Sequence, residues 1–196
     1  FHRIYRYERF AQTDMALEFI DRNSGDKSWA LYLSWGPPHA PYDTAPEPYK
    51  SLFLNKSPAL RKNVPETILQ NLRKNQWLSR DDIIGMLRGY YAHIAALDEC
   101  FGRLIENLKK NKQFENTIVV YTSDHGDMLG SQGICKKQAP YFESVNVPCM
   151  ISWPGRINPG VSDEVFGLVD LPVTLLGITG SSFSEKRDGA DLSKLL

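Results

Sequence analysis

The stretch IVVYTSDHGDMLGSQG, Ile118 to Gly133, decides how this chain is read. Four strand-forming residues, Ile118, Val119, Val120 and Tyr121, run straight into Asp124, His125, Gly126 and Asp127. A short apolar run of β-branched and aromatic residues points to a buried strand. Its polar end sets two metal-capable side chains where open α/β sheets gather their sites, beyond the carboxyl end of a strand. Neighbouring side chains on an extended strand face opposite ways. Asp124 and His125 can therefore share one ion only where the chain leaves that geometry, and Gly126 supplies the freedom to bend. A carboxylate with an imidazole suits a divalent cation, and further oxygen ligands favour Ca2+, Mg2+ or Mn2+ over structural zinc. The same residues also read as a plain turn, with Asp124 as its cap and His125 a loop histidine. Asp127 reads as a turn or helix-start residue, and the EF-hand spacing is absent because position 128 is Met.

Working outward, strands and helices alternate. Asp14 to Arg22 is predicted as a helix, with Thr13 as cap and Ala16, Phe19 and Ile20 as its apolar stripe. WALYLSW, Trp29 to Trp35, reads as a buried strand that stops at GPPHAPY. A proline-rich, irregular segment follows from Tyr42 to Pro65, then a short helix over Glu66 to Lys74. The strongest helix starts at Ser79, which has capping-box spacing to Asp82. Behind it Ile83, Leu87, Tyr90, Ile94, Leu97, Phe101, Leu104 and Leu108 recur at helical intervals, and Lys109, Lys110 and Lys112 suit its negative end. Pro140 to Val145 reads as a helical turn or two with Pro140 at a favoured first position. VPCMISWPG reads as another buried strand, and VDLPVTLLGITG as a helix ending at Gly180. This order predicts an α/β fold, a sheet flanked by helices, in a single domain over residues 1–196 or part of a larger one.

Composition narrows the function classes. Lysine plus arginine and aspartate plus glutamate both total 23, so no basic field argues for nucleic acid. No run approaches eighteen apolar residues, the length a membrane span requires. FHRIYRYERF has none of the organisation of a signal peptide, and compartment and oligomeric state stay open. Three cysteines, Cys100, Cys135 and Cys149, are too few and scattered for a disulfide framework or zinc ribbon, and Cys100 and Cys149 are expected as buried thiols.

Other polar groups gather around the opening stretch. Lys136 and Lys137 stand just ahead of a predicted helix, where free backbone N–H groups and lysine together suit an anion. His39 follows a second predicted strand. With a cation at Asp124 and His125, these groups make an oxyanion pocket that lacks a nucleophile, since no GxSxG is present and Ser123, Ser131 and Ser144 have no partner arrangement. His93 lies at the edge of the long helix's stripe and reads as a packing residue; terminal His2 carries no role.

Four ordered segments then resemble the sulfatase family of the alkaline-phosphatase-like superfamily. LYLSWGPPHAPY is similar to its LYLS-x-x-PPH-x-PY segment, and YYAHIAALDECFGRLIENL to its Y-x-A…LD…GRL helix. IVVYTSDHGDMLGSQGICKKQAPYFESVNVPCMISWPGRI is similar to its TSDHG loop, lysine element, Y-x-E-S turn and WPG strand. VFGLVDLPVTLLGITG with DGADLSKLL is similar to its ending. The resemblance implies that Asp124 and His125 are two ligands of the active-site cation, with Ca2+ first and Mg2+ or Mn2+ as alternatives. It implies that Lys137 binds the sulfate ester and that His39 contacts sulfate and helps protonate the leaving alcohol. Gln132 stands where many relatives carry His, and Lys136 and Gln138 replace glycines that often flank the lysine.

The family's two early aspartates and its C/S-x-P-x-R element, whose Cys or Ser becomes formylglycine, do not appear. Cys100-Phe101-Gly102-Arg103 lacks the proline and lies mid-helix. The expectation is the carboxyl-terminal portion of a sulfatase, inactive alone, acting on a small-molecule or glycan sulfate ester when complete, with Asp43 to Val64 lining the pocket. The alternatives are a phosphonate monoester or phosphodiester hydrolase of the same superfamily, or a non-catalytic sulfatase-like binding module.

Overall fold

The computed structural model describes residues 8–25, 27–71, 75–137 and 139–196. They divide into two compact units, one of residues 1–114 with 125–147 and one of 115–124 with 148–196.

The larger unit is organised by one helix. Ser79 accepts from the Asp82 amide at 3.2 Å while its own amide donates to Asp82 Oδ2 at 2.8 Å, so the predicted capping box forms. These reciprocal bonds satisfy donors that a helix start leaves unpaired. The helix they open, α3, runs Arg80–Lys110, 31 residues. A second helix, α1, covers Glu8–Arg22 and packs on it. It begins well before the expected Asp14, and Thr13 is fully buried inside it rather than capping it. The buried line of α3 runs through Ala92, Ala96, Leu97 and Cys100, with Ala16 and Ile20 buried on α1, while Ile94 of the expected stripe is exposed. Ile83, Leu97 and Leu108 of that stripe are buried as expected, and the small residues Ala92, Ala96 and Cys100 are buried beside them. Arg103 pairs with Asp14, and Asn107 and Asn111 donate to Asp21 at 2.9 and 2.7 Å. Those two amides hold the Asp21 carboxyl below its ordinary value.

Between the helices the expected irregular segment holds a 3₁₀ turn, Tyr42–Thr44, and a short helix α2, Glu47–Phe53, with proline at its start. The helix expected over Glu66 to Lys74 is instead a hairpin, with β1 (Thr67–Asn71) antiparallel to β2 (Gln76–Ser79). Residues 72–74 lie outside the described residues. Ile68 pairs with Leu78 across it, and burial decides the outcome. As a strand residue Ile68 drops into the cluster of Val64, Ile68 and Ile83, with Leu60, Leu78, Met86, Leu87 and Cys135 around it. A short apolar run is ambiguous until such a partner exists. A one-turn helix, α4 (Phe142–Val145), completes the unit, capped at Tyr141 so that Pro140 stands outside its first turn.

In the smaller unit β3 (Val119–Thr122) pairs antiparallel with β4 (Cys149–Ser152), Val119 opposite Ser152 and Thr122 opposite Cys149. Neither strand is buried as expected: β3 is half-buried throughout, Met150 is exposed, and the Cys149 thiol is exposed rather than packed. Trp29 to Trp35, expected as a buried strand, pairs with no other strand among the described residues, and Leu31 and Tyr32 are exposed. An apolar run becomes a strand only when a neighbouring backbone accepts its ladder. The last helix, α5 (Leu171–Ile178), is fastened to the tail after it. Asp170 takes the Gly167 and Ala190 amides, each at 2.8 Å, and the buried Thr174 hydroxyl accepts the Leu192 amide at 3.1 Å. Among the described residues no helix is long and apolar enough to cross a membrane.

Two outcomes follow. A side chain at Gly89 of α3 would strike the Tyr42 carbonyl oxygen, whereas one at Gly102 of the same helix meets open space. Gly102→Ala should stabilise the protein by up to about 1 kcal/mol through helix propensity, and Gly89→Ala should destabilise it by about 1–3 kcal/mol, both read by chemical denaturation; equal effects would refute the contact. Backbone donors lower the Asp170 carboxyl from its ordinary 3.8. Its contribution is present in full above that value and lost as pH falls through the depressed one. Unfolding of the smaller unit, followed by hydrogen exchange in α5, should accelerate below about pH 4, and Asp170→Asn should flatten that acid limb.

Candidate active site

The loop after β3 is held at both ends by backbone. The Gly126 amide donates to the Ser144 carbonyl at 2.8 Å, and a side chain at 126 would collide with the Glu143 carbonyl oxygen. Glycine is required there by close approach, not by an unusual φ. The chain then folds back on itself: Met128 N donates to Lys136 O at 2.6 Å and Gly130 N to Ile134 O at 3.0 Å. Met128 is buried, Gly130 lies against the Ile83 and Val64 side chains, and Ile134 bridges to Leu69 of β1. His125 and Lys137 thus sit at the two mouths of one closed loop seated on the hydrophobic cluster.

Several residues unassigned from sequence hold this loop. Glu143 is the acid of the Y-x-E-S turn, with its side chain 8% exposed. It accepts from Asn63 Nδ2 at 2.7 Å and lies 3.5 Å from the Arg61 guanidinium. A carboxylate this deep needs such partners. The Asn63 carbonyl in turn takes the Gln132 amide at 3.0 Å. Their part was foreshadowed only by the Y-x-E-S spacing. Lys136, where the resemblance expects glycine, has φ 71, the left-handed region in which glycine is unstrained. Gln138 lies outside the described residues.

His39 is exposed on a turn closed by its own amide on the Gly36 carbonyl at 3.1 Å. Its Nδ1–H donates to the Ala40 carbonyl at 2.7 Å. His125 does the same with the Gly126 carbonyl at 2.8 Å. In the neutral ring this leaves the lone pair on Nε2, the atom that ligates a metal or exchanges a proton. His93, expected only to pack, is fully buried and donates from Nε2 to the Pro41 carbonyl at 3.3 Å. Tyr42, at the end of PPHAPY, donates its hydroxyl to Asp127 Oδ2 at 2.8 Å, and Asp127 Oδ1 takes the Leu129 amide at 3.1 Å. Asp127 is therefore a turn residue, as expected, with a second partner 85 residues away. Burial, and then the Asp127 carboxylate, push the Tyr42 phenol far above its ordinary value.

Asp124 is exposed, with the Ser123 hydroxyl 3.4 Å from Oδ1. It closes its unit, and His125 opens the other. Among the described residues no three His, Cys, Asp or Glu side chains gather to hold a metal. A carboxylate, and an imidazole with its Nδ1–H already committed, are each ligand types that a divalent cation accepts, oxygen ligands making up the remainder. Cys135 offers no substitute nucleophile. Burial, helped by the Asp127 charge, pushes its thiol up to about 11, so it stays protonated and packs on the core.

Comparison of structures defines the class. The fold is shared with the yidJ protein of Bacteroides fragilis, 34% identical with a TM-score of 0.84, over 97% of this chain and 41% of that one. It is shared also with the phosphonate monoester hydrolase of Agrobacterium radiobacter, 21% identical with a TM-score of 0.78, over 97% of this chain and 42% of that one. These are alkaline-phosphatase-like folds. The Sulfatase family model matches residues 5–181, and the chain belongs to the sulfatase family. The ulvan-active sulfatase of Formosa agariphila is 32% identical over 97% of this chain and 36% of its own length. The chain thus spans little more than a third of that relative. The sulfatase family generally works with a metal ion and a formylglycine.

Gly126→Ala should destabilise the larger unit by about 1–3 kcal/mol and speed hydrogen exchange at the Met128 and Gly130 amides. Native exchange at both would show that the Glu143 carbonyl does not close on this position.

Proposed function

We propose that the complete protein hydrolyses sulfate esters, and that these 196 residues are the part of one sulfatase domain that carries the late metal ligands and the leaving-group side of the pocket. The observation that supports this best is the closed loop with His125 and Lys137 at its mouths, in a chain whose family match covers residues 5–181. When in place, the formylglycine and the cation supply the nucleophile and neutralise developing charge.

The chain's own residues do the rest. Asp124 and His125 hold the cation, His125 through Nε2 because Nδ1–H is committed to the Gly126 carbonyl. Calcium suits the expected oxygen-rich sphere, with magnesium or manganese as substitutes. Lys137 places an ammonium against the sulfate oxygens and offsets charge as the S–O bond opens. His39, once protonated, delivers the Nε2 proton to the departing alcohol oxygen while Nδ1–H stays on the Ala40 carbonyl. The substrate is a small-molecule or glycan sulfate ester, with residues 43–64 as part of the pocket wall.

The neighbour from Agrobacterium motivates one rival, hydrolysis of a phosphonate monoester or phosphodiester; a sulfatase-like module that binds without turnover is another. In the complete protein, sulfate esters should be turned over faster than phosphonate monoesters of the same alcohol. Lys137→Ala should lower kcat by about 10²–10³-fold with an unchanged melting temperature. Asp124→Asn and His125→Ala should reduce the metal retained after gel filtration, read by elemental analysis. Faster phosphonate hydrolysis selects the first rival, no turnover with sulfate binding selects the second, and full activity in Lys137→Ala removes the assigned role.

A further inference from the structure

We infer that Tyr42 and Asp127 form a positioning pair that sets the His39 turn against the loop carrying His125 and Lys137. The chemistry it serves rests on the sulfatase reading; the positioning rests on geometry alone. Only Ala40 and Pro41 separate His39 from Tyr42. The chain that leaves this turn is seated on α3 at two successive residues: the Pro41 carbonyl takes the His93 Nε2–H at 3.3 Å, and the Tyr42 carbonyl lies where Gly89 has no side chain. The Tyr42 ring also leans on Tyr90, centroids 6.2 Å apart. From that seat the phenol reaches across to Asp127 Oδ2 at 2.8 Å.

The carboxylate it meets is itself fixed. Asp127 Oδ1 takes the Leu129 amide at 3.1 Å, so the side chain is locked to its own loop two residues beyond His125. Tyrosine has two side-chain torsions, and here its base rests on a helix while its tip rests on a locked acceptor. It acts as a strut of fixed length. Through it, the separation of His39 from the metal-loop residues is set by α3 and by the loop fold rather than by the exposed His39 turn. A misplacement of about 1 Å can cost up to about 10²-fold in rate, so such a strut matters to an acid that must meet one oxygen. Neither residue touches substrate in this account.

The test uses the complete protein with Tyr42→Phe, Asp127→Asn, His39→Ala and the His39→Ala/Tyr42→Phe double variant. Two sulfate esters are compared: 4-nitrophenyl sulfate, whose phenolate leaves without a proton, and an alkyl sulfate, whose alkoxide needs one. Tyr42→Phe and Asp127→Asn should each lower kcat on the alkyl ester by about tenfold or more with little change in KM, and lower it far less on the nitrophenyl ester. Adding Tyr42→Phe to His39→Ala should cost nothing further on the alkyl ester. A purely structural role would lower both esters alike and add to His39→Ala, and that result overturns the inference. A second readout needs no turnover: ¹⁵N shifts of the His39 ring should report the Nδ1–H tautomer in the parent and a mixed population in Tyr42→Phe. If the parent turns over neither ester, the sulfatase reading falls and the ring shifts alone judge the strut. An unchanged His39 ring in Tyr42→Phe overturns it in either event.

Discussion

The backbone contact at Gly126 is the constraint on which the chemistry-bearing part of this chain depends. Its amide holds the Ser144 carbonyl and its missing side chain makes room for the Glu143 carbonyl. The loop after β3 therefore begins against α4 and cannot drift from it. Because α4 is only one turn, it has little stability of its own, and most helical stability comes from tertiary packing in any case. Here that support comes from Glu143, whose buried carboxylate is held by Asn63 and Arg61. Arg61 is more than half exposed, so the ion pair contributes little by itself; the Asn63 hydrogen bond and the burial it permits do more.

The helix α3 is the common platform. Near its start Ile83 closes the cluster on which Gly130 and Cys135 of the loop rest. In its middle Gly89 and His93 seat the turn that carries His39. Further along, Ala96 and Cys100 are buried on the side where α1 packs. A 31-residue helix is long enough to serve all three because each needs only one or two turns of its surface. Tyr42 and Asp127 then join two of these seats directly. A half-buried phenol and a carboxylate satisfy each other's hydrogen-bonding groups there.

Membership of the sulfatase family turns this scaffold into an argument about chemistry. The two histidines share one device, an Nδ1–H given to the next residue's carbonyl, which in the neutral ring leaves the lone pair on Nε2 in each. Under the proposed function that geometry suits a metal ligand at His125 and a proton carrier at His39. The same local geometry supports two roles because the neighbours differ: a loop anchored by backbone in one case, a turn hung on α3 in the other. Cys135, packed on the core cluster, stays a neutral thiol.

What could be read from sequence was local. The capping box of Ser79 and Asp82, the end of α5 near Gly180 and the polar loop after Tyr121 all depend on residues within a few positions of one another. Asp124, His125, Lys137 and His39 were candidates from residue type and loop position, and resemblance to the ordered motifs gave them their expected roles. Tertiary structure decided the rest. Thr67 to Asn71 became a strand because Gln76–Ser79 pairs with it and Ile68 reaches the core. Trp29 to Trp35 pairs with no strand among the described residues and Cys149 is exposed, in a chain that spans little more than a third of the relative from Formosa agariphila. Asp127 read correctly as a turn residue, yet its partner stands 85 residues earlier in the chain. Short-range hydrogen bonds and periodicity are written in neighbouring residues; a hydrogen bond across that separation exists only once the backbone has closed the distance.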